Sequence, residues 1–374
     1  MISVEKVTTW RDFCQLESQW EGLLEMSASR NLMLTWDWIS TWWEVFGQDR
    51  QLNVLLVRDG HELIGIAPLL KRKAAHFGIL PYRRLEFLAS GEDEADEICS
   101  EYLDFILRRG REREALGAIL QELARDPDWD EIILADVPGQ SPNLPILAEL
   151  CPKFGAELEV ICRQLGVYLD LPGCMESFLG RLSSKLRYKV RRDRLSAAKL
   201  GAALRVTDGP DGFEEAFDAL IRLHQRRWTS RNRPGVFSSE KFTRFHRSIA
   251  PKLLGKGHVV LLWLVVSGEP VAALYCFVYA GKMHYYQGGF VECNGIQSPG
   301  MLIHSFAIER AIQMGLREYD FMKGDPNGYK SRWRGQLREI LRLRLARPGF
   351  RESLRRAAEA LRPTRRALKV RFGL

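Results

Sequence analysis

The chain has 374 residues, 46% of them hydrophobic and 27% charged, with a formal net charge of +8. That balance describes a soluble globular protein of two domains, each large enough to bury a core. The longest apolar run, residues 259–266, has strand length, and the opening MISVEKVTTWRDF carries no apolar leader. Neither a membrane-spanning helix nor a secretion signal is expected, which points to the cytoplasm. Cys14, Cys99, Cys151, Cys162, Cys174, Cys276 and Cys293 form no C-x-x-C pair and are odd in number. A disulfide framework and a zinc site are therefore not expected, and no metal is assigned.

In chain order, residues 37–46 read as a helix with Thr35 or Asp37 near its start and Gly47 past its end. Residues 52–58 and 62–70 are apolar strands joined by Asp59-Gly60, a hairpin signal. Strands at 83–88 and 102–107, a helix at 112–125 and a strand at 131–135 follow, then the loop VPGQSPNLP and a strand-like stretch at 158–171. The boundary between halves is placed near Gly166, giving domains 1–165 and 166–346 and a basic helical tail 347–374.

The second half opens with a long helix at 176–200 closed by Gly201, then a strand at 203–206 and helices at 213–230 and 238–254. Three strands come in close succession at 258–266, 271–279 and 282–290, turning at Ser267-Gly268-Glu269 and Ala280-Gly281. A helix at 299–314 starts on Ser298 and Pro299, a favourable pair. Strands at 317–322 and 338–345 complete the half. Each half thus holds an early helix, an antiparallel meander and a later helix crossing to a further strand. The expected class is α/β, two tandem domains, each a mixed, mostly antiparallel sheet flanked by helices.

The segment 283–330 is the richest in chemistry. On strand alternation His284, Tyr286 and Gly288 share one face and Tyr285, Gln287 and Gly289 the other. Adjacent glycines in a strand mark a close backbone approach, for instance by a ligand. Ser298-Pro299-Gly300 then opens a helix whose free amides and dipole suit an anion such as a pyrophosphate; the plainer reading is an ordinary capped helix. Asp320, Asp325, Tyr329 and Lys330 crowd a turn at a strand end. They could supply a base, an acid and an electrostatic clamp, or form only a surface salt-bridge cluster.

Three pieces in order carry a resemblance: NLMLTWDWISTWWEVFG with LNVLLVRDGHELIGIAPLL, then YYQGGF…SPGMLIHSFAIERAI, then REYDFMKGDPNGYKSRW. Together, over residues 30–345, they resemble the GNAT-fold acyltransferases of bacterial cellulose and exopolysaccharide biosynthesis, the CelD/BcsL type. The fold is similar also to that of the FemAB-like transferases, which use aminoacyl-tRNA. The resemblance implies two GNAT-like domains and an acyl-CoA donor, acetyl-CoA first among them, lying between two splayed strands. It implies an amino- or hydroxyl-bearing sugar or glycan acceptor. Carried to this chain, Gly288, Gly289 and Phe290 offer backbone amides to the donor carbonyl, and Gln297, Ser298, Gly300 and Met301 hold the phosphates. His284 and Asp320 are candidate bases, Tyr329 the acid for the leaving group and Lys330 a charge stabiliser. Where acetyl-CoA enzymes of the fold carry Q/R-x-x-G-x-G/A, this chain has IQSPGM, which leaves a tRNA-borne donor open. His284 could equally be a packed strand residue, and His224 and His304 read as structural.

Three further features have two readings each. Trp36, Trp38, Trp42 and Trp43 either pack onto the first sheet or form a sugar-stacking wall. The helix at 176–200 has a Leu179, Leu182, Leu186, Val190 stripe and a basic face, either solvated or steering phosphate or tRNA. The segment 347–374 has nine Arg and Lys against two Glu, nearly the whole net charge. It suggests contact with an anionic membrane, a nucleic acid or a polysaccharide synthase, or else a solvated helix.

Overall fold

The computed structural model describes residues 1–76, 80–325 and 327–360. They form two compact units. The first holds the described residues of Met1–Glu92, Ile98–Gln164 and 338–360, and the second holds Asp93–Glu97 and Leu165–Leu337. The segment 338–346, read above with the second half, packs instead in the first unit. Its part of the strand Gln336–Ala346 pairs antiparallel with Glu131–Pro138, from Ile340↔Pro138 to Ala346↔Glu131. The apolar residues of this segment announce a strand but not its partner, which lies some two hundred positions back in the chain.

The first unit has a four-stranded sheet in the order Ile2–Val7, Val54–Asp59, Glu62–Ala67, Ile106–Leu107. The Asp59-Gly60 hairpin forms, with Asp59 facing Glu62. The run 62–70 is not one strand. Pro68 has no N–H to give a ladder, and Leu69–His76 starts afresh in the unit's other sheet, against Leu80–Phe87. The expected strand at 102–107 shrinks to Ile106–Leu107, with Cys99 and Tyr102 in left-handed conformations just before it (φ 51° and 61°). The loop after Pro138 carries a helix, Asn143–Leu150, whose Pro145 sits in the first turn where a missing N–H costs nothing.

The helix Trp36–Phe46 buries Trp38 and Trp42 completely, and Trp36 is 6% exposed. The Trp38 indole donates to Ser100 Oγ at 2.9 Å. These three rings are core and only Trp43 of the four is half-exposed, so they form no stacking wall. The start of the basic tail is also engaged. In the helix Phe350–Ala360, Glu352 accepts from Arg344 at 2.5 Å, Arg355 at 2.7 Å and Arg356 at 2.7 Å. Arg347 lies 4.1 Å over the Trp129 ring and donates to the Asp126 carbonyl. Residues 361–374, most of the tail's remaining charge, lie outside the described residues.

The second unit's sheet runs Ala203–Thr207, Val259–Val266, Glu269–Tyr279, Lys282–Phe290, Glu318–Lys323, then the end of Glu157–Asp170. Its pairings are antiparallel except that Lys282–Phe290 and Glu318–Lys323 run parallel. The meander turns on Ser267-Gly268 (φ 52° and 85°) and Ala280-Gly281 (φ 49° and 79°). Two left-handed residues in a two-residue loop match the strand twist. One sheet face is covered by the helices Met175–Arg181, Ser184–Lys199 and Pro299–Gln313 over a core that includes Leu186, Leu262, Met283, Leu302 and Phe321. The other is covered by Phe213–Thr229 and Glu240–Gly255.

The expected helix at 176–200 is two helices. Leu182 and Ser183 are extended (ψ 157° and 149°), and Ser183 Oγ accepts from the Leu186 amide, starting Ser184–Lys199 afresh. The leucine stripe hides the break, because a serine cap competes with helix continuation without disturbing apolar spacing.

Candidate active site

The candidate site grows from one irregularity in the second sheet. Lys282–Phe290 and Glu318–Lys323 pair at Lys282↔Glu318, Met283↔Tyr319 and His284↔Asp320, and there the ladder ends. Both strands are bent at that point. Tyr275 opposes Gln287 and Cys276 opposes Tyr285, so Tyr286 is a bulged extra residue. On the neighbour, Asp320 Oδ1 accepts from the Met322 amide at 2.7 Å. Met322 is left-handed (φ 59°), a strained conformation for a residue with a side chain. The two strands therefore part, and the amide edge of Gly288–Phe290 has no strand beside it on that side.

The bulge overturns the expected alternation. Gly288 falls on the face of Tyr285, since a Cβ there would lie 3.1 Å from the Tyr285 ring. Gly289 falls on the opposite face, where a Cβ would collide with the His224 amide nitrogen and sit 2.5 Å from the Leu223 carbonyl carbon. A helix, not a ligand, makes the close approach at Gly289. The Val291 amide donates to Val271 O at 3.0 Å. By antiparallel alternation the Gly289 amide also points into that ladder, while those of Gly288 and Phe290 point to the open side. This removes Gly289 from the expected set of carbonyl donors.

The four expected catalytic residues do not converge. Met283, Tyr319 and Phe321 lie in the core under the Pro299–Gln313 helix, so His284 and Asp320, alternating with them, face the other side of the sheet. His284 Nδ1 stands 3.5 Å from Asp320 Oδ2, and both residues are buried. Tyr329 and Lys330 gather at the open end of the strands. Lys330 Nζ donates to the carbonyls of Phe321 at 2.6 Å, Lys323 at 2.7 Å and Met322 at 3.4 Å, laying its charge along the parting strand. The hydroxyls of Tyr329 and Tyr285 hydrogen-bond, and burial raises the Tyr329 phenol well above its ordinary pKa. It stays protonated and acts as a donor.

Sequence reasoning missed two members of this group. His304 sits between the rings of Tyr285 (4.5 Å) and Tyr329 (5.8 Å), with Nδ1 at 2.8 Å from Tyr319 OH. Burial, helped by the charges of Lys330 and Arg227, lowers its pKa to about 3, so its imidazole is neutral. The Arg227 guanidinium lies 4.4 Å over the Phe290 ring, and its Nε is buried with no hydrogen-bond partner among the described residues. A signal for Arg227 existed. The buried stripe Phe213, Phe217, Leu220, His224 continues into Arg227 at helical spacing, placing a cation where a core residue belongs.

The helix Pro299–Gln313 begins beside this group. Ser298 makes no side-chain cap and Pro299 has no N–H, so the Gly300 and Met301 amides open the helix without intrahelical acceptors. A Cβ at Gly300 would lie 2.8 Å from the Phe290 ring, which brings helix start and strand end into contact. Gln297 is exposed and Ser298 half-buried on the approach. A separate cavity of about 360 Å³ lies in the first unit among Tyr82, Trp129, Glu131, Arg344 and Arg347. Glu131 and Arg344 pair with each other there at 2.8 Å, and none of the acyl-transfer candidates lines it. No group of three or more metal-ligating side chains occurs among the described residues.

Three buried histidines make the second unit acid-sensitive. Burial lowers His224 to about 4 and His246 and His304 to about 3. Between those values and the unfolded pKa near 6.5, the unfolded chain binds more protons, so stability falls as pH falls. A loss on the order of 1–2 kcal/mol per histidine is expected between pH 7 and pH 5. A melting temperature that stays flat across that window would show that these imidazoles are protonated in the fold.

Against this geometry, comparison with known proteins is decisive for the second unit. Residues 184–331 match the acetyltransferase (GNAT) domain. The matched stretch holds the parted strands, the helix start and the Tyr329–Lys330 pair, and it makes the chain an acyltransferase. No protein of curated function matches the chain. Among solved structures, FemX superposes with a TM-score of 0.64 at 15% identity, over 95% of this chain and 100% of that one. L-PGS from Bacillus licheniformis gives 0.52 at 12% identity, over 92% and 96%. The C-terminal domain of a putative lysylphosphatidylglycerol synthetase from Agrobacterium fabrum gives 0.51 at 9%, over 93% and 95%. At such identities the likeness is one of fold, an α/β chain whose second unit carries the GNAT domain. No helix among the described residues is long and apolar enough to cross a membrane.

Proposed function

We propose that the GNAT domain moves an acyl group, acetyl in the first instance, from acyl-CoA to an amino or hydroxyl group of a sugar or glycan-bearing intermediate in polysaccharide or envelope synthesis. The observation that carries the reading is the ladder ending at His284↔Asp320 beside an uncapped helix start. A thioester laid in that opening would have its pyrophosphate at the Gly300 and Met301 amides, by charge–dipole attraction. The amides of Gly288 and Phe290 would meet its carbonyl oxygen and hold the oxyanion as the acceptor's lone pair adds to the carbonyl carbon. Collapse breaks the carbon–sulfur bond. Tyr329 gives its proton to the departing thiolate and recovers one from the acceptor nitrogen or oxygen, so protons balance. Lys330 and Arg227 stabilise the negative charge in transit. His284 and Asp320, on the far face, brace the point where the strands part. The glycan acceptor is supported by the resemblance of the three quoted segments, and a cytoplasmic setting would give access to acyl-CoA.

A second reading, aminoacyl transfer from tRNA, is favoured by the fold likeness to FemX over 95% of this chain and 100% of that one. A donor panel separates the two. With acetyl-CoA or a longer acyl-CoA the melting temperature is expected to rise by several degrees, through mass action on the folded state. Free thiol should appear once an amino sugar is added. If no acyl-CoA shifts the melt, and label instead moves from charged tRNA, the coenzyme A reading is lost and the tRNA reading stands.

A further inference from the structure

The helix Ser184–Lys199 presents an unpartnered outer face in the second unit. Along its 16 residues stand seven cations and one carboxylate, Asp193, which is buried. Arg194 turns inward to Ser305 and Glu309, and Arg191 and Arg192 pair with Glu176 and Asp193. Lys185, Arg187, Lys189 and Lys199 have no ion pair among the described residues. Between them, seven positions apart and so on one helical face, stand Tyr188 at 68% exposure and Leu195 at 64%. A solvated face needs neither ring nor leucine, and a surface for RNA phosphates gains nothing from Leu195. An aromatic that prefers the headgroup level, an aliphatic that can enter the acyl boundary and a rim of cations with no exposed carboxylate on the helix together match an anionic bilayer.

We infer that the outer face of Ser184–Lys199 docks the protein on an anionic phospholipid surface, with Tyr188 and Leu195 entering the interface and Lys185, Arg187, Lys189 and Lys199 meeting headgroups. Apolar burial and charge attraction each contribute modestly, so the contact is reversible and weakens with salt. It is independent of the donor and of the tail beyond residue 360.

Flotation of the full chain with phosphatidylcholine vesicles, with and without phosphatidylglycerol, tests the inference. Binding is expected only with the anionic lipid. It should fall at least tenfold in Lys185→Glu/Lys199→Glu, and severalfold in Tyr188→Ala/Leu195→Ala, all at exposed positions where the melting temperature should hold. Unchanged binding in both double variants would assign any membrane contact to another surface and overturn the proposal. So would an absence of vesicle binding combined with salt-sensitive RNA binding that only the charge reversals weaken, which would make the face a nucleic-acid surface.

Discussion

Lys330→Ala is expected to lower kcat/KM by roughly 10²–10³-fold, the range found when one oxyanion-stabilising donor is removed. The ammonium lies along the parting strand, held by three carbonyls of residues 321–323. It also satisfies those carbonyls, so the loss could come through the fold rather than the chemistry. Two measurements separate these. Lys330→Met keeps the aliphatic stem, and its melting temperature reports the structural part. If turnover survives in Lys330→Met while the melt falls, Lys330 is only a cap on the strand end. Tyr329→Phe should cut kcat more than the donor KM, because the phenol acts on the leaving group and the ring packing is kept. Full activity in both variants would move the chemistry elsewhere.

Gly289→Ala should be the most destabilising single methyl in the second unit. The new Cβ would overlap the His224 amide nitrogen and lie 2.8 Å from the His224 Cα. These are backbone atoms of a helix pinned by Phe217, Leu220 and Leu223, all 5% exposed or less. The strand or the helix must move as a whole, at a cost of about 3 kcal/mol, the upper part of the range for overpacking. Gly288→Ala meets the end of the Leu274 side chain and the Ala273 carbonyl oxygen instead, and a leucine can rotate away. The expected signature is a melting temperature several degrees lower for Gly289→Ala than for Gly288→Ala. Equal melts would mean that the helix does not press on the strand at Gly289.

Much of the architecture was legible in local chemistry. The two tight turns at Ser267-Gly268 and Ala280-Gly281, the Ser298-Pro299 helix start and the Asp59-Gly60 hairpin depend only on neighbouring residues, and each forms where its signature stands. The helix at 112–125 likewise forms over Glu112–Arg125. The parted strands were accessible through the resemblance of a whole segment, and residue periodicity alone would not have located them. Arg227 carried a signal in its stripe, but a charge on a buried face has no meaning until something is known to lie beneath it.

What amino-acid order determined by itself was the tight turns, several of the helices and strands, and the chemical inventory of residues 283–330, because propensity, capping and turn formation act over a few residues. Tertiary structure alone decided the rest. A one-residue bulge at Tyr286 reversed which glycine faces the opening. The pairing of His284 with Asp320 placed both on the far side from Tyr329 and Lys330, and the last strand found its partner some two hundred residues back, in the first unit rather than the second. Each outcome turns on register and long-range pairing, where a shift of one residue flips every side chain and no local signal records the choice.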